Sequence, residues 1–228
     1  MLQRDPDRGI AAKVAAYLLV MAALLFLPAG AWDWPGAWLF LLFHFTYSGG
    51  VMLWLKRNNP ALLKERASFR MPVKGWDRAV MLAATVLFLA LFVVAGLDAV
   101  RYRWSRMPVA LEVLGFAGFV PSLALFFIAL KENPYASKIV EVRLDLGQRV
   151  VTTGPYACVR HPMYLGAIVY LLSLPLALGS YYALVPGLGL AVLIAIRTHL
   201  EDKTLHEELP GYGEYAERTR YRLVPGVW

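Results

Sequence analysis

The chain has 228 residues, 59% of them hydrophobic and 17% charged, with a mean hydropathy of +0.52 and a formal net charge of +7. Soluble globular domains carry about 45–50% apolar residues, so the composition excludes an ordinary soluble domain and points to an all-α integral membrane protein. A single cysteine, Cys158, excludes an intrachain disulfide and a thiolate-rich zinc site, and is expected to be a small filler in a turn.

Apolar runs that reach the roughly 20 residues of a membrane-crossing helix occur at 11–30, 36–55, 79–99 and 109–130. The first lacks a small-x-small cleavage site and is followed by further runs, so a retained span is expected rather than a signal peptide. The second carries polar breaks at His44, Thr46 and Ser48. A last apolar stretch, 162–196, is too long for one span and is broken by Pro175, by Gly179-Ser180-Tyr181-Tyr182 and by Pro186. Gly and Ser punctuate turns, so a hairpin of two helices turning near Gly179 is expected. That makes about six transmembrane helices, or five if the last pair fails to cross. Residues 1–130 read as a scaffold of about four helices, and 131–228 as the region that carries chemistry.

The charge pattern orients these spans. Lys and Arg number seven in 56–78, five in 131–160, five from Arg197 onward, and three (Arg4, Arg8, Lys13) before the first span. Only Arg101, Arg103 and Arg106 fall on the other side. Basic residues favour the cytoplasmic side, so both termini are expected there. Topology and anionic headgroups explain the positive charge, and no nucleic-acid partner is required.

Asn133-Pro134 opens a non-helical segment. Residues 140–146 alternate apolar and polar like a short strand, Gly147-Gln148 turns, and 149–153 is extended again, so a small hairpin on the membrane face is expected. Pro162 suits the first position of a helix, where its missing N–H costs nothing. The chain resumes as helix over 197–208 and stops at Pro210-Gly211. It then alternates tyrosines with charges (Tyr212, Tyr215, Arg218, Arg220, Arg222) before closing on Val224-Pro225-Gly226.

Three features converge on one membrane face if the last hairpin forms. They are Arg160-His161-Pro162-x-Tyr164, the pair Arg197 and Glu201, and the aromatic-basic tail. Arg197 and Glu201 share a helix face at i, i+4; the same spacing suits an exposed ion pair worth about 0.3–0.5 kcal/mol. An arginine and tyrosines at a helix mouth also suit interface anchors.

The run Gly154-Pro155-Tyr156-x-x-x-Arg160-His161-Pro162-x-Tyr164-x-Gly166 resembles the signature of the isoprenylcysteine carboxyl methyltransferase family, itself related to phospholipid N-methyltransferases. A second block resembles it too: Arg197-x-x-x-Glu201-Asp202-x-x-Leu205, Gly211-Tyr212-x-x-Tyr215 and Arg222-Leu223-Val224-Pro225. The resemblance covers about 131–225. It departs from the family in a shorter second acid, Asp202, and in Pro210-Gly211-Tyr212 where Phe-Gly is often found.

What the resemblance implies is a membrane methyltransferase that uses S-adenosyl-L-methionine on a lipophilic acceptor at the membrane–cytosol interface, without a Rossmann fold or a metal. Carryover of the motif implies a cofactor pocket of Gln148, Arg149, Val150, Val151, Tyr156, His161, Pro162, Met163, Tyr164 and Glu201, with Glu141 a weaker candidate. Arg197 would face the methyl acceptor, and Arg160 would support one of the two ligands. Arg197, Arg160 and Glu201 thus form the implied catalytic set, and carboxyl O-methylation of an isoprenylcysteine-like acid is the leading reaction. The alternatives are amine N-methylation, with Glu201 or His161 as base, and an NADPH-dependent sterol-type reductase, a group with a similar Arg-His-Pro-x-Tyr pattern on a longer chain. A non-enzymatic transporter subunit or scaffold is a third class.

Overall fold

The computed structural model describes residues 6–68 and 70–228; Arg4, counted above toward the orientation, lies outside them. The described residues form eight α-helices and no strand: α1 (Pro6–Ala29), α2 (Pro35–Asn58), α3 (Pro60–Ala67), α4 (Gly75–Gly96), α5 (Val109–Glu132), α6 (Pro162–Ala177), α7 (Leu184–Glu208) and α8 (Tyr212–Arg218). Four of them are long and apolar enough to cross a membrane: α2, α4 with its π-helical extension Leu97–Arg101, α5 and α7. The apolar helix α6 has 16 residues, about 24 Å at 1.5 Å per residue, and falls short of that length. Of α1, the portion Ala16–Ala29 is apolar.

The last hairpin forms as expected. α6 begins at Pro162, and the chain turns at Gly179, whose φ of +74° suits glycine. One buried core joins α1, α2, α4, α5, α6 and α7 through Leu25, Phe40, Phe92, Phe119, Leu174 and Leu190, each at most 4% exposed. Lipid tails are as apolar as leucine, so helices in a bilayer gain mainly from close packing. The α5–α6 contact achieves this with small residues. A Cβ on Gly115 would meet the Ala177 backbone nitrogen at 2.3 Å, and one on Gly118 the Ser173 Oγ at 2.1 Å. Ser122 Oγ donates to the Gly166 carbonyl across the same seam at 2.9 Å. Gly115→Ala is therefore expected to destabilise the fold by about 1–3 kcal/mol. Gly49→Ala, whose Cβ meets nothing within 4 Å, is the control. Thermal unfolding in detergent compares the two, and equal melting temperatures would count against the seam.

The end of the bundle remote from Pro162 is tied by Asp98, which is fully buried in the π-helical turn. It accepts from Ser105 N at 2.7 Å, Ser105 Oγ at 2.6 Å, Ser180 Oγ at 2.5 Å and Tyr182 N at 3.2 Å. Exposed Trp32, Trp38, Tyr102, Trp104 and Tyr182 gather at this end, as aromatic residues do at a membrane–water boundary.

The expected hairpin over 140–153 does not form strands. Leu144–Leu146 is a 3-10 turn closed by left-handed Gly147. The segment's amides find other partners: Arg143 N donates to Gln148 Oε1 at 2.6 Å, and Val140 N to Asp77 Oδ2 at 3.0 Å.

Candidate active site

The segment 133–160, which has 3-10 turns but no α-helix, encloses a half-open cleft with the start of α6, the second half of α7 and α8. Its walls include Gln148, Arg149, Val150, Val151, Tyr156, Arg160, His161, Met163, Tyr164 and Glu201, together with Glu141. Pro162 is buried at the start of α6 and does not line it. Arg197 also stands outside the lining, behind the Tyr164 ring, with its guanidinium carbon 5.7 Å from the ring centroid. Cys158 is exposed and lines no part of the cleft.

Helix geometry sorts the acids of α7. Successive residues turn by about 100°, so Glu201 and Asp202 face different surroundings. Glu201 is half-buried toward the cleft and accepts the Tyr164 hydroxyl proton through Oε2. Asp202 is 1% exposed and faces the tail. There it accepts from Arg160 Nε at 2.8 Å and Nη2 at 3.2 Å, from Tyr212 Oη at 2.9 Å and from Arg222 Nε at 2.8 Å. His161 Nε2 lies 3.2 Å from the same carboxylate.

Arg160 completes this hub from the other direction. Its Nη1 donates to the Thr219 and Arg220 carbonyls, both at 2.9 Å, and its own amide donates to the Tyr221 carbonyl at 2.9 Å. The His161 amide donates to the Arg222 carbonyl at 2.9 Å. The guanidinium is thus occupied in clasping the tail onto α7. Its geometry is that of a group that positions the cleft wall.

Arg197 and Glu201 share a face but do not form the exposed ion pair that their spacing allows. Arg197 Nε and Nη2 donate to Asp77, fully buried in the first turn of α4, at 2.9 and 3.4 Å. Nη2 also donates to the Lys138 carbonyl at 2.7 Å. The edge that could grip a second carboxylate bidentately is therefore taken, and Nη1 carries no hydrogen bond among the described residues. Asp77 was not singled out by the sequence. It is an acid in a segment of seven basic residues, a pattern that reads as solvated surface charge.

Three cleft tyrosines, Tyr164, Tyr212 and Tyr215, donate hydrogen bonds through their hydroxyls, whereas the Tyr156 hydroxyl accepts one. Tyr215 Oη donates to the Tyr156 carbonyl at 2.7 Å, and Asn133 Nδ2 donates to Tyr156 Oη at 3.3 Å. Burial pushes the Tyr156 hydroxyl up to about 12, with the Asn133 bond opposing it. Burial, followed by the Asp202 charge, lifts Tyr212 well above its ordinary value. Neither ionises near neutral pH.

Four span-length apolar helices define a multi-pass membrane protein, and its polar cleft lies at one end of the bundle. Residues 113–207 match the model of the Isoprenylcysteine carboxyl methyltransferase (ICMT) family, which bears out the resemblance carried by the signature run. The match takes in most of α5, the cleft-lining segment, α6 and nearly all of α7, and leaves out Asp77, α8 and the tail. The chain is also similar to Delta(14)-sterol reductase TM7SF2 of Mus musculus, 28% identical over 100 residues, which are 42% of this chain and 24% of that protein. The chain thus spans about a quarter of that relative's length.

Proposed function

We propose that this chain is an S-adenosyl-L-methionine-dependent methyltransferase acting on a lipophilic acceptor at the membrane–cytosol interface. Carboxyl O-methylation of an isoprenylcysteine-like acid is the reaction we favour. Residues 131–228 are the catalytic region and 1–130 the scaffold, with both termini in the cytoplasm. The observation that carries this reading is the division of labour around Tyr164: an acid, Glu201, on the cleft side, and a cation, Arg197, behind the ring.

The cleft residues fit such a cofactor. Glu201 suits its ammonium, the apolar side chains of Val142, Val150 and Val151 suit a purine, and the first turn of α6 suits its carboxylate. When bound, S-adenosyl-L-methionine supplies an electrophilic methyl group on a sulfonium. The protein's own contribution is then to hold the acceptor in line with that methyl group, since positioning carries most of the gain in such a displacement. Nη1 of Arg197 is the donor available to orient an acceptor carboxylate by a charge-assisted bond.

A carboxylate needs no base, whereas an ammonium must first lose a proton. Glu201 is engaged by Tyr164 and His161 by Asp202, which favours the acid over an amine acceptor. Glu201→Gln is expected to weaken S-adenosylhomocysteine binding by about tenfold, as a lost charge-assisted bond does. Isothermal calorimetry in detergent reads this directly, and an unaltered dissociation constant removes Glu201 from the cofactor site. The sterol reductase relative motivates one comparison in the same assay. Tight NADPH binding without S-adenosylhomocysteine binding would replace our reading with a reductase.

A further inference from the structure

Asp77 does more than balance a charge. Its Oδ1 accepts from Arg197 Nε at 2.9 Å, and its Oδ2 from Arg197 Nη2 at 3.4 Å and from the Val140 amide at 3.0 Å. Val140 lines the cleft. One carboxylate from the first turn of α4 therefore ties the arginine of α7 to the cleft wall. The Lys138 carbonyl, 2.7 Å from Nη2, completes the closure of that edge of the guanidinium. The Asp77 side chain is fully buried, whereas the Arg197 side chain keeps 16% of its surface. Among the described residues, Nη1 is left as the donor without a hydrogen bond.

An arginine with an open fork grips a carboxylate through two parallel bonds. For an acid that must react, that grip is a handicap, because both oxygens turn toward the guanidinium. In the reaction proposed above, one acceptor oxygen gives its electron pair to the methyl carbon as the methyl–sulfur bond breaks. The charges of the acid and the sulfonium cancel, and no proton moves. A contact to one oxygen leaves the other free for this. Tighter binding of the unreacted acid adds nothing to turnover. A negative charge beside the arginine also repels an incoming carboxylate and so loosens its hold.

We propose that Asp77 is a positioning residue for the acceptor: by closing the fork of Arg197 it restricts an acceptor carboxylate to one contact, at Nη1, and keeps one oxygen free to react. The inference rests on the methyltransferase reading and deepens it with a residue outside the stretch matched to the family.

The test compares S-farnesyl N-acetylcysteine with its methyl ester, which lacks the carboxylate, on the purified full chain. Calorimetry in detergent without cofactor reads the binding of each. Single-turnover transfer from S-adenosyl-L-methionine to the acid reads the chemistry. The unsubstituted protein is expected to bind the acid more tightly than the ester. Asp77→Asn removes the charge but keeps an oxygen for the Val140 amide. It should bind the acid about tenfold more tightly, keep ester binding within about threefold and transfer methyl about tenfold more slowly. Asp77→Ser removes the same charge with a smaller group and should shift both readings the same way, which carries the test should the asparagine variant not fold. A merely structural role moves binding in the opposite direction, since a loosened site holds acid and ester alike more weakly. Acid binding that is weaker or unchanged in the variants, or tighter binding with unchanged turnover, would overturn the proposal. Absence of methyl transfer by the unsubstituted protein would instead count against the methyltransferase reading, and the acid–ester comparison would still decide whether Asp77 closes Arg197 to a carboxylate.

Discussion

Arg197→Lys is expected to lower methyl transfer by about two to three orders of magnitude while leaving S-adenosylhomocysteine binding within about threefold. The size follows from the proposed role, since losing a fixed donor aimed at the reacting group costs about 10²–10³ in turnover in comparable sites. Lysine keeps a positive charge for buried Asp77 but lacks the planar fork that reaches Asp77 and the Lys138 carbonyl together. Arg197→Ala should abolish turnover as well, but it strands a fully buried carboxylate, and breaking such a pair costs about 3–5 kcal/mol. The lysine variant therefore separates chemistry from folding. Single-turnover transfer to a lipophilic acid in detergent, with cofactor binding measured in parallel, decides the matter. Unchanged turnover would remove Arg197 from the acceptor site.

The second large effect is on stability. Asp202→Ala should destabilise the protein by about 3–5 kcal/mol, because it leaves the Arg160 side chain, 7% exposed, without its counter-ion. Arg143 and Asp145 also form an ion pair, but the Asp145 side chain is 64% exposed, so Asp145→Ala should change stability by less than about 0.5 kcal/mol. Both variants can be followed by thermal unfolding and by limited proteolysis of the segment after Leu209. A wild-type melting temperature together with a protease-resistant tail in Asp202→Ala would mean that the hub does not hold the tail.

Much of the helical layout was legible because its signals are local. Pro162 fixes a helix start, and Gly179 and Gly211 mark turns, each with a backbone that a single residue type favours. The strand reading of 140–146 failed because alternation records only that successive side chains face opposite ways. Val140 and Val142 line the cleft while Leu144 and Leu146 are exposed, and no neighbouring strand takes up the amides. The cleft residues were legible through the resemblance, and nine of the ten implied cofactor contacts line one cavity. Asp77 and the role of Asp202 were not legible, because their partners lie 120 and 42 residues away. An acid's sequence neighbours say nothing of such distant contacts.

The clasp between Arg160 and the tail also bears on biogenesis. The cleft wall depends on carbonyls of residues 219–222, whereas every apolar helix lies upstream of them. Those carbonyls are made after the last apolar helix, so they are the last component of the cleft wall that synthesis supplies. A chain interrupted after α7 would keep every apolar helix and lack the carbonyls that hold Arg160 and His161 at the cleft wall.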